Sequence, residues 1–241
     1  MCTVTLIPKG KCGFVLTSNR DEAPNRISLA PEVHSIMNTK MIFPKDQVAG
    51  GSWIGASEKH RVLCILNGGF DYHERRAEYR LSRGIVVRDL LACQNIVKAI
   101  EAYDLDDVEP FTLVIADWNN DLKFFELVWD GKSKHFKNLP LEPQIWSSST
   151  LYTQAMKHER KQWFDDFKEK TSLNAENLLS FHETTEINNT DYGVIMDRGY
   201  VKTTSITQVE KIDNELVMRF NNFHDKSKQA LIFKLPHVIN G

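Results

Sequence analysis

The sequence predicts an α+β fold in which antiparallel sheets are covered by helices. Three observations carry this reading: apolar alternation that reverses across turn residues at the start, a run of strands at the end, and helical spacing confined to the middle. Hairpin-paired strands need none of the crossover helices of a parallel sheet. No repeat, low-complexity tract or linker interrupts the 241 residues. Residues 1–241 are therefore read as a single domain.

Along residues 2–8, Cys2, Val4 and Leu6 fall on one face and Thr3, Thr5 and Ile7 on the other, the period of a strand. Lys9-Gly10-Lys11 supplies a turn, and residues 13–17 supply the returning strand. Residues 20–47, punctuated by Pro24, Pro31 and Pro44, read as irregular. Strands follow at 52–56 and 61–66. Ser82 is the candidate N-cap of a helix over 83–93, where Ile85, Val86 and Leu90 form an apolar stripe. A second helix is expected at 95–103. Asn119-Asn120-Asp121 turns a hairpin of strands 111–116 and 122–129. A short strand at 145–148 precedes helices at 153–168 and 175–182. Three strands, near 200–212, 216–220 and 229–235, close the chain.

The chain has 30 basic and 32 acidic side chains and a formal net charge of −2. That balance argues against a nucleic-acid partner, whose phosphates need clustered Lys and Arg. No apolar run approaches the ~20 residues of a membrane span. The first residues lack the basic and apolar regions of a secretory signal. Cys2, Cys12, Cys64 and Cys93 form no CxxC pair, and scattered thiols fit the cytoplasm. The histidines show no metal-ligand spacing, so no metal site is expected.

The chemistry concentrates at the first hairpin. A turn near Gly10-Lys11 sets Cys2 opposite residues 18–21, bringing a thiol beside Asn19, Arg20 and Asp21. Register is restricted, because a one-residue slip inverts both faces. Removal of Met1 would leave Cys2 with a free α-amine of pKa ~7.7–8.0, a base beside its own nucleophile. Arg20 would favour the thiolate, and Asp21 would orient the amine. Asn67, followed by Gly68-Gly69, is the candidate donor to a developing oxyanion, although Asn-Gly is also ordinary turn chemistry. Trp53 is a candidate substrate wall, or plain core. Gly50-Gly51 permits close backbone approach or a bulge. Arg75, Arg76 and Arg80 read as a solvated face, although such a cluster could attract a carboxylate or phosphate.

Met1-Cys2-Thr3 followed by Thr17-Ser18-Asn19-Arg20-Asp21-Glu22 resembles the NRDE-motif family, which includes the transport and Golgi organisation protein 2 homologues. The likeness continues through Gly50-Gly51-Ser52-Trp53-Ile54-Gly55, Leu66-Asn67 and the segment 81–91, and more faintly at 147–152. That family is similar to N-terminal-nucleophile hydrolases of the bile-salt hydrolase and penicillin V acylase group. The resemblance implies a four-layer αββα sandwich with Cys2 as nucleophile and with Asn19 and Asp21 matching the group's Asn and Asp. The group's Arg directly before the Asn is Ser18 here, and Arg20 supplies the nearby guanidinium.

Two functions follow. One is an N-terminal cysteine hydrolase acting on a small amide or acyl substrate, with no cofactor. The alternative is a haem or lipid/acyl-coenzyme A binding and trafficking protein on the same scaffold, a role with which the family is connected. Thiolate and imidazole are usual haem axial ligands, but nothing in the spacing supports that role independently.

Overall fold

The computed structural model describes residues 2–236, apart from the side chain of Cys2. Strands β1 (Cys2–Lys9) and β2 (Gly13–Glu22) form the opening hairpin. Its register pairs Cys2 with Arg20, Thr3 with Asn19 and Lys9 with Gly13. Both faces of the hairpin are buried, so alternation separates two interiors rather than inside from outside. Val4, Leu6, Phe14 and Leu16 join the larger apolar core. Ile7 and Val15 join a smaller one on the opposite face.

The remaining elements, in chain order, are β3 (Ser28–Ile36), β4 (Thr39–Asp46), β5 (Ile54–Ser57), β6 (Arg61–Asn67), α1 (Arg83–Ala92), α2 (Ile96–Ala102), β7 (Phe111–Asp117), β8 (Lys123–Trp129), β9 (Lys134–Leu139), β10 (Gln144–Ser147), α3 (Gln154–Lys170), α4 (Ala175–Thr184), β11 (Lys202–Ile212), β12 (Glu215–Asn222) and β13 (Lys228–Lys234). The first sheet has the order β10-β1-β2-β11-β12-β13, and the second is a meander from β3 to β9. Contacts of β1 with β6 and of β12 with β3 lay the sheets face to face. Helix α1 packs on β5 and β6, while α3 and α4 pack on β10, β2 and β11. The layers are therefore αββα, as the resemblance implied. Among the described residues, no helix is long and apolar enough to cross a membrane.

Residues 20–47 are not irregular: they hold the end of β2 and the hairpin β3–β4. Met37 and Asn38, at φ 50° and 54°, turn that hairpin with the two left-handed residues that tight hairpins require. Pro31 falls where the register shifts between Leu29 and Glu32, on an edge strand that spares its missing donor. Pro44 lies beyond Met41 and Ile42, the residues of β4 that pair with β5. The prolines interrupt pairing without ending the strands. Strand β9 is a second departure. As an edge strand it needs few apolar contacts, so its polar sequence gave no signal beyond Phe136, which stacks on Phe125 with ring centroids 5.2 Å apart. Ser82 occupies the N-cap position of α1 without a side-chain capping bond, whereas Asn95 and Thr153 cap α2 and α3.

A buried polar contact docks α4 on the first sheet. His182 Nδ1 lies 2.5 Å from Asn19 Oδ1 and its Nε2 lies 2.7 Å from Thr5 Oγ1. Burial, with the Arg160 charge nearby, pushes the imidazole pKa down to about 3. The folded chain therefore holds this histidine neutral, while the unfolded chain protonates it below about 6.5. Stability should be complete above that value and fall with pH toward about 3, by up to about 1.4 kcal/mol per pH unit. Denaturant titrations from about pH 6.5 to 5 should show His182→Gln losing less stability than wild type, by about one proton's slope. Equal slopes would show that His182 is not buried neutral.

Candidate active site

Arg20 is the centre of the inner face of β2. The residue is only 3% exposed, although it carries a full charge. One amino group is ion-paired with Asp46 of β4, across the gap between the sheets. The other donates to Arg26 O at 3.1 Å, Ser28 Oγ at 3.1 Å and Thr204 Oγ1 at 3.3 Å. The guanidinium carbon sits 4.6 Å from the centre of the Trp53 ring, a cation–π contact. Asp46 also accepts from Arg26 Nη2 at 2.7 Å and from the backbone N–H groups of Val48 and Ala49. These donors and two guanidiniums hold its carboxyl below the usual range, against the opposing effect of burial.

This cluster forms one wall of a cleft of about 460 Å³, whose lining includes Arg20, Trp53 and Asn67. Asn67 ends β6, and three hydroxyls fix the turn after it. Ser148 Oγ donates to Asn67 O at 2.7 Å, Ser149 Oγ to Gly69 O at 2.6 Å and Thr112 Oγ1 to Gly68 O at 3.1 Å. Gly68 has φ 88°, where a Cβ would also crowd Ser149 and Thr150 at 3.1 Å. The backbone is thus held while the Asn67 side-chain amide remains without a hydrogen-bond partner among the described residues, available to a bound molecule. On the far side, a Cβ on Gly51 would lie 3.1 Å from the Gly84 backbone. The close approach expected at the glycine pair is therefore made to the first turn of α1.

Asn19 and Asp21 point the other way, toward the helical layer. Asn19 donates to Val194 O at 2.8 Å and His182 O at 3.2 Å. Asp21 accepts from Tyr152 OH at 2.8 Å and Thr203 Oγ1 at 2.7 Å. Burial pushes the Asp21 carboxyl up, and the same surroundings raise the Tyr152 phenol, so the tyrosine keeps its proton and donates it. Arg160, fully buried, donates to Thr3 Oγ1, to Ser147 Oγ at 3.0 Å and to Tyr192 O at 2.6 Å, beneath the Tyr152 ring at 4.0 Å.

The structure therefore brings Arg20, Trp53 and Asn67 to one cleft and sets Asn19 and Asp21 on the opposite face of the same strand. The expectation of a cleft shared by the Arg20 and Asp21 side chains is replaced by a two-faced arrangement, because adjacent strand residues alternate. Ser18 shares the Arg20 face, and its buried hydroxyl has no partner among the described residues. The Cys2 thiol and the fate of Met1 lie outside the described atoms; the backbone fixes only that Cys2 pairs with Arg20. Sequence reasoning missed Asp46, Arg26, Tyr152, Thr203 and Arg160. Only Tyr152 had a signal, as the end of the faint 147–152 match. Among the described residues, no group of three or more His, Cys, Asp or Glu could hold a metal ion.

Comparison with solved structures finds the same fold in proteins of very different sequence. A variant of conjugated bile acid hydrolase from Clostridium perfringens superposes with a TM-score of 0.53 at 10% identity, covering 100% of both chains. The N-acylethanolamine-hydrolyzing acid amidase ortholog of Caenorhabditis elegans gives 0.59 at 11% identity, over 86% of this chain and 92% of that one. Penicillin V acylase from Agrobacterium tumefaciens gives 0.55 at 8%, over 97% and 86%. All three are N-terminal-nucleophile hydrolases. A comparison with curated protein sequences finds no match. The family model described as Transport and Golgi organisation 2 matches residues 1–228, and the chain belongs to that family, built on the N-terminal-nucleophile hydrolase fold.

Proposed function

We propose that the protein is an N-terminal cysteine hydrolase that cleaves a small amide or acyl substrate through an acyl-Cys2 intermediate. The observation that carries this is the pairing of Cys2 with Arg20 at the edge of a cleft that Arg20, Trp53 and Asn67 line. With Met1 removed, the Cys2 sulfur attacks the acyl carbon and its proton passes to the α-amine. The Asn67 amide stabilises the tetrahedral oxyanion. Collapse expels the leaving amine, which takes the proton from the ammonium and leaves a thioester. Water then attacks the thioester, the α-amine accepts its proton, and the carboxylic acid departs as the thiol is restored.

The two-faced β2 suits this division of work. An α-amine at the end of β1 lies in the plane of the sheet, so it can be reached from either face. Arg20 supplies positive charge on one face, favouring thiolate. Asp21 follows Arg20 in β2 and approaches from the other, its orientation set by Tyr152 and Thr203. The carrier reading fits the cleft less well. No contact singles out haem, a lipid or acyl-coenzyme A in a lining that mixes four arginines and three carboxylates with Trp53, Ile65 and Leu81.

Intact-mass analysis should find the chain lacking Met1 with Cys2 first; a retained Met1 would block the amine and contradict the mechanism. Cys2→Ala should abolish hydrolysis of an amide substrate, by at least about 10³-fold. Asn67→Ala should lower kcat by about 10²–10³-fold while the melting temperature stays near that of wild type. An Asn67→Ala enzyme with unchanged kcat would remove Asn67 from the oxyanion site.

A further inference from the structure

The turn that presents Asn67 is a wall between two cavities. Asn67 and Thr150 line the cleft already described, whereas Gly69, Phe70 and Ser149 line a second cavity of about 360 Å³. Side chains hold this wall. The carbonyls of Asn67, Gly68, Gly69 and Phe70 all accept from hydroxyls: the first from Ser148, the second from Thr112, and the last two from Ser149 at 2.6 and 3.1 Å. Gly68 N–H also donates to Pro110 O at 3.0 Å.

Ser149 has a single proton, and those carbonyls use it, so its oxygen is left to accept. Lys157 Nζ donates to it at 2.7 Å. This lysine stands in the first turn of α3, which Thr153 caps by accepting from Met156 N–H at 3.3 Å. Two features make the position unfavourable for a cation. The start of a helix carries partial positive charge. The ammonium is also half-buried and makes no ion pair among the described residues, so burial pushes its pKa down against the more distant Asp71 carboxylate. Lys161, one turn further on, behaves as surface lysines usually do and pairs with Asp165 at 2.7 Å. What Lys157 gains in exchange is its bond to Ser149. An ammonium that donates to a hydroxyl polarises it and strengthens its onward donation to Gly69 O.

We infer that Lys157 is a positioning residue: acting through Ser149, it holds the 67–70 turn so that the Asn67 amide stands where the oxyanion forms. The inference rests on the hydrolase reading in taking Asn67 as the oxyanion donor. Helix α3 thereby reaches the cleft from the far side of the wall, without touching the substrate.

The test combines kinetics with amide exchange. In hydrolysis of p-nitrophenyl butyrate, Lys157→Met should lower kcat at least about fivefold with KM within about twofold of wild type, because a displaced Asn67 weakens only the transition state. Lys157→Arg, which keeps the charge and a donor, should restore most of the rate. Lys161→Met should leave both constants unchanged. In a Ser149→Ala background Lys157→Met should have no further effect on kcat, because the lysine acts through that hydroxyl. An unchanged kcat in Lys157→Met, additive losses in the double variant, or an arginine variant as slow as the methionine one would overturn the inference. Hydrogen exchange at the Gly68 amide reads the turn without any substrate. It should quicken at least about fivefold in Lys157→Met and not in Lys161→Met. Equal protection in wild type and Lys157→Met would overturn the inference whatever the kinetics. If exchange quickens but the wild-type protein does not cleave the ester, the lysine holds the turn and the hydrolase reading is what fails.

Discussion

Arg20 is held between the two sheets by an ion pair that water hardly reaches, and the cleft takes its shape from that contact. A guanidinium buried this deeply is tolerated only if its donors are all engaged. Asp46, Ser28, Thr204 and the Arg26 carbonyl engage both of its amino groups, and the Trp53 ring covers one face. Removing one partner from such a pair costs about 3–5 kcal/mol, because the other charge is stranded. The Arg20–Asp46 pair thus ties β2 of the first sheet to β4 of the second. It also fixes where positive charge stands relative to the end of β1.

From this tie the division of the Asn19-Arg20-Asp21-Glu22 motif follows. Successive residues of a strand point to opposite faces, and both faces of β2 are interior. Arg20 therefore serves the cleft, while Asn19 and Asp21 lock the sheet to α4 and to Tyr152. A run of four polar residues would normally mark a solvated turn. Here it survives burial because every side chain from 19 to 21 has a partner of matching chemistry. What looks like one cluster in sequence is two polar groups on opposite sides of a sheet.

Much of this was legible beforehand, and the rest was hidden for physical reasons. The hairpin register followed from the period-2 pattern and the Gly10 turn, since pairing is local. Asn67 and Trp53 were placed in the site by resemblance and by their positions at strand ends. Asp46, by contrast, reaches Arg20 across 26 residues through a hairpin that Pro31 and Pro44 disguised. Thr203 reaches Asp21 from β11, 182 residues away, so no local pattern could announce it. Arg160 looked like one more charge on an amphipathic helix, because a buried arginine and an exposed one have the same sequence signature.

The central claim is that the hairpin sets the Cys2 sulfur within the field of Arg20, and the titration of that thiol tests it most directly. The rate of Cys2 alkylation by iodoacetamide, followed by peptide mapping across pH, reports the thiolate fraction. A midpoint clearly below the ~8.5 of a free cysteine is the result this account requires. A midpoint at or above that value, or a Cys2 that does not react in the folded protein, would contradict it.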